Sequence, residues 1–293
     1  MVKSRLTYLL ALVIFGMNGV VASHIPLGSG EIVFFRTVLG SVFLAIAVLL
    51  SRQTLHLPAL RAQWKTVTLS GAVMGLGWVL LFEAYRRCGV GTATLIYYCG
   101  PVLVMAASPV LYGEKLTPAR LLGIAAVAAG MVLINLTGLS GGTAGILCAA
   151  AAAVLYAALI VVNRRITGLG GAELTLTQLL TACVVVAPYA LLTRTTGVTL
   201  GTEGWLAIAL LGCVNTGLAC YLYFTSLHAL PAQTVALLSY VDPASALLFA
   251  ALFLSERLTP VSAAGAALIL GGAAFGELWG TRKQQPQKAE VTQ

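Results

Sequence analysis

The sequence predicts an all-α polytopic membrane protein of ten transmembrane helices arranged as two inverted five-helix repeats. Three observations predict it. Of 293 residues, 59% are hydrophobic and only 9% charged, with a mean hydropathy of +0.95, whereas soluble domains carry charge on roughly a quarter of their residues. Apolar runs of about 20 residues, long enough to cross roughly 30 Å of hydrocarbon, follow one another along the chain. The chain also repeats itself at a spacing of 142 residues.

The apolar runs give ten segments, at 6–27, 31–50, 66–86, 91–112, 119–137, 144–162, 173–193, 204–225, 233–254 and 260–279. The longest gap, 51–65, is too short for a separate soluble domain. Lys3 and Arg5 ahead of an apolar run resemble a cleavable signal peptide, but no soluble mature domain follows, so the run is read as segment 1. The polar stretch RKQQPQKAEVTQ ends the chain and is expected to be a disordered cytoplasmic tail, 281–293. With the N-terminus in the cytoplasm, 12 of the 17 Lys and Arg residues fall inside and 4 outside, with Arg36 left within segment 2. The positive-inside rule therefore places both termini in the cytoplasm. This bias accounts for the net charge of +8, so the lipid bilayer is the expected partner and nucleic acid is not.

Shifting the chain by 142 residues aligns 27–130 with 169–272 without a gap. About a quarter of the pairs are identical, where this composition gives roughly a tenth by chance. Glu31 pairs with Glu173, Gly75 with Gly217, Tyr98 with Tyr240 and Pro101 with Pro243, and GEKLTP at 113–118 returns as SERLTP at 255–260. The expected units are 1–140 and 141–280. Because five is odd, the second unit enters the membrane from the opposite side, the arrangement found in secondary transporters.

The candidate site follows from chemistry at mid-membrane depth. Pro101 and Pro243 each lack an amide donor and free the carbonyl four residues back, at Tyr97 and Ser239, so a break or a packing kink is expected in segments 4 and 9. Asp242 is the acid placed near the midplane, where an Asp costs on the order of 2.5–3.5 kcal/mol; a hydroxyl, a substrate ammonium or a proton would offset that. Trp64, Trp205 and Trp279 sit at segment ends, whereas Trp78 is central, facing either a cavity or packed neighbours. Asn18 and Asn215 at mid-depth read as substrate contacts or interhelical hydrogen bonds. Tyr98 and Tyr240 offer a ring face and a hydroxyl, which suits a zwitterion with a hydrophobic side chain. Tyr97, Tyr156, Tyr221 and Gln178, the repeat mate of Arg36, are second-rank candidates. Arg36 is expected to pair with Glu83 near the outer end of segment 3, the alternative being a gate or a carboxylate contact. Gly71–Gly75, Ala125–Ala129 and Gly212–Thr216 read as close helix-packing faces. The six cysteines form no CxxC and the three histidines lie far apart, so neither a metal nor a cofactor is expected.

Ten segments in two units, FGMN in segment 1, LYAALIVVNRR in segment 6, and a Pro-containing fourth segment ending in GEKLTP or SERLTP resemble the drug/metabolite transporter superfamily, EamA type. The motifs YYCGP and SYVDP are similar to those of its amino-acid exporters. The common pattern is departed from at Phe15 and Tyr156, where that family often carries Trp. The resemblance implies a bacterial inner-membrane exporter of small organic solutes, amino acids first; ten helices can enclose a cavity without a partner, so a monomer is expected. A channel would need a selectivity filter or a charged ring, and none is present in the sequence. A membrane enzyme would need an acid/base or metal motif such as HExxH, which is likewise absent from it. A partner-dependent scaffold predicts no transport by the purified protein.

Overall fold

The structure is a computed structural model and describes residues 2–51, 56–113, 116–136, 142–169, 171–197, 199–227, 230, 238–256 and 259–282. Among these residues all regular structure is helical. The elements are α1 (Val2–Gly16), α2 (Asn18–Ser23), α3 (Ser29–Leu50), α4 (Leu57–Ala62), α5 (Trp64–Cys88), α6 (Val90–Tyr97), α7 (Gly100–Tyr112), α8 (Pro118–Leu136), α9 (Thr143–Asn163), α10 (Gly171–Leu192), α11 (Thr202–Ala209), a π-helical segment (Leu210–Leu218), α12 (Ala219–Leu227), α13 (Val241–Phe253) and α14 (Pro260–Arg282). Among the described residues, seven helical stretches are long and apolar enough to cross a membrane: Lys3–Ser23, Ser29–Leu50, Trp64–Cys88, Val90–Leu111, Thr143–Asn163, Gly171–Leu192 and Thr202–Tyr223. Shorter apolar helices cover Pro118–Gly130, Val241–Phe253 and Ala263–Gly276. Large apolar side chains such as Leu50, Val110 and Leu192 are more than three-quarters exposed, as a lipid-facing surface requires.

Helix pairing follows the 142-residue shift. α3 packs on α10 and α8 on α14, so corresponding helices of the two halves meet. The contact of α5 with α9 has its counterpart in α12 with α1, and that of α10 with α5 in α3 with the π segment. α3 and α10 run antiparallel. At the start of α3 the Glu31 carboxylate accepts from Gly28 N at 3.2 Å, and from the amide and hydroxyl of Thr195, just past α10, at 3.1 and 2.6 Å. At the start of α10, Glu173 Oε2 lies 3.5 Å from Nδ1 of His56, which follows α3.

Glycine lets these backbones approach, as the small-residue spacings predict, with one change of face. A Cβ on Gly71 would sit 2.6 Å from the Thr181 side chain of α10, and one on Gly212 2.4 Å from Leu39 of α3. In α8, however, Ala125 and Ala129 are exposed. The face against α14 is formed by Gly123 and Gly130, where an added Cβ would meet the carbonyls of Gly272 and Gly265, each at 2.6 Å. The small residues that make the contact are seven apart instead of four, on a face about 130° of helix rotation away from Ala125 and Ala129.

Three segments are interrupted, segment 4 at the place its proline predicts and segments 1 and 8 without such a signal. Segment 1 tightens at Met17, whose amide bonds three residues back to Ile14 at 3.2 Å before α2 begins. Segment 4 divides into α6 and α7 around Tyr98 and Cys99. Segment 8 carries the π segment, in which Thr216 Oγ1 donates to Leu211 O, five residues back, at 2.8 Å. Such irregular turns concentrate at functional sites.

Candidate functional site

These interruptions surround a central cavity of about 170 Å³. Asn18 of α2, Arg36 of α3 and Trp78 of α5 contribute to its wall together with Tyr98, Asp242 of α13 and Tyr156 of α9. Proline explains the geometry at Tyr98. Pro101 occupies the first turn of α7, where a missing amide leaves no bond unmade, so α6 ends and a new helix starts in mid-span. Tyr98 adopts φ −73°, ψ 2°, and its repeat mate Tyr240 adopts φ −72°, ψ −9° at the start of α13. Residues 231–237, which precede that second start, lie outside the described residues.

Asp242 lies in the first turn of α13, where the helix dipole attracts negative charge. The hydroxyl of Tyr98 donates to the Asp242 carboxylate. Tyr98 in turn sits edge-on to Tyr97 and Tyr156, which stack on each other with centroids 4.7 Å apart at 11°. These rings form an apolar wall beside the acid. The amide oxygen of Asn18 is buried without a hydrogen-bond partner among the described residues.

The Arg36 guanidinium lies 4.1 Å from the Trp78 ring centroid and 5.1 Å from that of Phe82. Its Nε donates to Thr216 Oγ1 at 3.1 Å. The expected pairing with Glu83 is not made. Glu83 accepts from Arg87 Nε at 2.6 Å and lies 4.0 Å from Arg86, both within one turn of its own helix, whereas Arg36 is buried under aromatic rings.

Two more candidates lie outside the cavity wall. Asn215 does not line the cavity; it donates to Ile14 O at 2.8 Å, tying the π segment to α1 as an interhelical bond. Tyr240 packs instead against the cluster of Leu95, Val102, Val127 and Ile269, because α13 turns the residue two before Asp242 away from the cavity. Pro101 and Pro243 shape the backbone and are not in the cavity wall. Of the second-rank residues, Tyr97 and Tyr156 do line it. Tyr221 packs against Leu44 and Leu179, and Gln178 donates to Ser70 Oγ at 3.0 Å and Asn163 Oδ1 at 2.9 Å.

A second cavity, about 320 Å³, lies toward the start of α6 and is lined by Gly19, Ser23, Arg86, Val90 and Glu256. It shares Phe82 and Tyr85, whose ring centroids are 5.3 Å apart, with the central one. Glu256, from SERLTP, accepts from Val90 N at 2.6 Å and Gly91 N at 2.9 Å, capping α6 where Gly89 takes φ +81°. Its repeat mate Glu114 lies outside the described residues. Phe82, Tyr85 and the capping role of Glu256 went unseen in sequence, although an acid repeated in both loops was the available signal.

The EamA-like transporter family matches residues 3–136 and again 143–276. The chain belongs to that family. It is 27% identical to the uncharacterized transporter YxxF of Bacillus subtilis over 290 residues, 97% of this chain and 90% of the relative. It is 29% identical to the aromatic amino acid exporter YddG of Ancylobacter novellus over 208 residues, 69% of this chain and 71% of the relative. To the chloramphenicol-sensitive protein RarD of Pseudomonas aeruginosa it is 27% identical over 247 residues, 80% of each. One solved crystal structure superposes with a TM-score of 0.71 at 23% identity, covering 97% of this chain and 99% of the other, a likeness of fold. As an EamA-type chain with seven helical stretches of membrane length among its described residues, it is a multi-pass membrane transporter.

Proposed function

We propose that this transporter exports neutral amino acids, hydrophobic and aromatic ones included, across the bacterial inner membrane by alternating access through the central cavity. It would do so as a monomer of ten transmembrane helices in two inverted five-helix units, with both termini in the cytoplasm. The observation that carries the substrate class is the Asp242 carboxylate beside the Tyr97, Tyr98 and Tyr156 rings, a polar end for an ammonium next to a wall for an apolar side chain. A cavity of about 170 Å³ is smaller than the roughly 300–1,000 Å³ of drug-sized sites, which favours a small metabolite. The antiparallel α3 and α10, and the recurrence of helix contacts on exchanging the halves, favour inversion. Export is the direction named for the YddG relative.

Counterflow of a labelled amino-acid panel in proteoliposomes of the purified protein, repeated across a pH gradient, tests this reading. Saturable exchange of neutral amino acids is the expected result. Exchange of other metabolites or of chloramphenicol in their place would move the assignment to another solute class of the same family.

A further inference from the structure

Arg36 is a charge in the central cavity that the reading above leaves without a role. It is 3% exposed, and burying a guanidinium carries a penalty of several kcal/mol unless something compensates it. Among the described residues no carboxylate does so: the ion pairs there join Glu83 to Arg86 and Arg87, and Glu173 to His56. Two rings and one hydroxyl hold it instead, the faces of Trp78 and Phe82 and the Thr216 oxygen. Of the five donors in the fork, only the Nε donor finds an acceptor among the described residues, which leaves the bidentate end for whatever the cavity admits. Asp242, in the same wall, does not come within ion-pair distance and is engaged by Tyr98. Two unlike charges are thus held apart around one small space.

The repeat supplies an internal comparison. Gln178 occupies the position equivalent to Arg36 and is consumed by Ser70 and Asn163. The fold therefore accepts a neutral side chain of similar length at this place in the helix, and a packing requirement does not explain the cation.

We propose that Arg36 is the receptor for the carboxylate of the transported solute, so that the cavity selects molecules carrying an anionic head that takes a bidentate guanidinium. Joined to the amino-acid reading, on which the ammonium end rests, it assigns the two ends of a zwitterion to two residues, Arg36 and Asp242.

The test is counterflow by the full-length protein with three matched probes: a neutral amino acid, its primary amide and its decarboxylated amine. The wild type should favour the amino acid by about 10- to 100-fold in apparent affinity, the worth of one charge-assisted contact. Arg36→Gln should raise the KM for the amino acid by that factor while leaving the amine within about threefold, and Arg36→Lys should recover part of the loss, keeping charge without the fork. Equal handling of all three probes by the wild type overturns the proposal without reference to any variant, as does an Arg36→Gln protein that keeps the preference. The deaminated carboxylate, as a fourth probe, separates the two readings. If the protein exchanges it in an Arg36-dependent way and no amino acid, the receptor stands and the amino-acid assignment falls; amino-acid exchange indifferent to Arg36 has the reverse meaning.

Discussion

The two halves of this transporter share a repeated sequence and a recurring set of helix contacts and differ in where they place charge. At the helix break the first half presents Gly100 and the second Asp242; in the second helix of each unit the first half presents Arg36 and the second Gln178. The cavity receives one charge from each half and a duplicate of neither. Part of the reason is steric. A Cβ on Gly100 would lie 2.7 Å from the Tyr156 ring and 2.9 Å from the Ala153 carbonyl, so α7 approaches α9 too closely for any side chain, whereas Asp242 has room. A repeated frame thus carries an asymmetric site.

Removing the acid from the half that has it should have the largest effect. Asp242→Asn preserves shape and an acceptor for Tyr98, and counterflow is expected to fall roughly 100-fold while the protein stays folded. An unchanged rate would remove Asp242 from the site. Moving the acid to the half that lacks it comes next. Gly100→Asp should lower stability by about 1–3 kcal/mol or more through overpacking against α9, read as a lower unfolding midpoint, and adding it to Asp242→Gly should not restore transport.

A smaller effect is expected at the loop motif. Glu256→Ala removes the cap of α6, worth about 1 kcal/mol, and should speed hydrogen exchange at Val90 and Gly91 by about fivefold or more. The smallest concerns Glu83, whose pairs with Arg86 and Arg87 are half-exposed and near the end of α5. Glu83→Ala should change stability by less than about 0.5 kcal/mol and leave counterflow within about twofold. A large loss of transport would reinstate a coupling of Glu83 to Arg36.

The frame was legible in sequence because lipid allows few solutions. Every backbone group must be satisfied within a helix, so apolar length, a mid-segment proline and a 142-residue shift expose the seven long helical stretches found among the described residues, the break at Tyr98 and the family. Asp242, Trp78, Arg36, Tyr98 and Asn18 reached the cavity for the same reason, since polar and amphipathic groups at mid-depth need somewhere other than lipid to point. What sequence could not supply was rotation about each helix axis. Asn215 and Tyr240 lie at the right depth and turn elsewhere, and Ala125 and Ala129 have the right spacing on an exposed face. Nor does depth alone choose a partner: Glu83 finds cations one turn away on its own helix, so a pairing across helices to Arg36 had a nearer competitor.

The opposed orientation of the two halves is tested most directly by labelling Thr117→Cys and Thr259→Cys, equivalent positions in the repeated loop, with a membrane-impermeant thiol reagent in a cysteine-free background that retains counterflow. The account predicts that the reagent reaches Cys at 259 from outside intact cells and Cys at 117 only after the cytoplasmic face is opened. Labelling of both from the same side would contradict it.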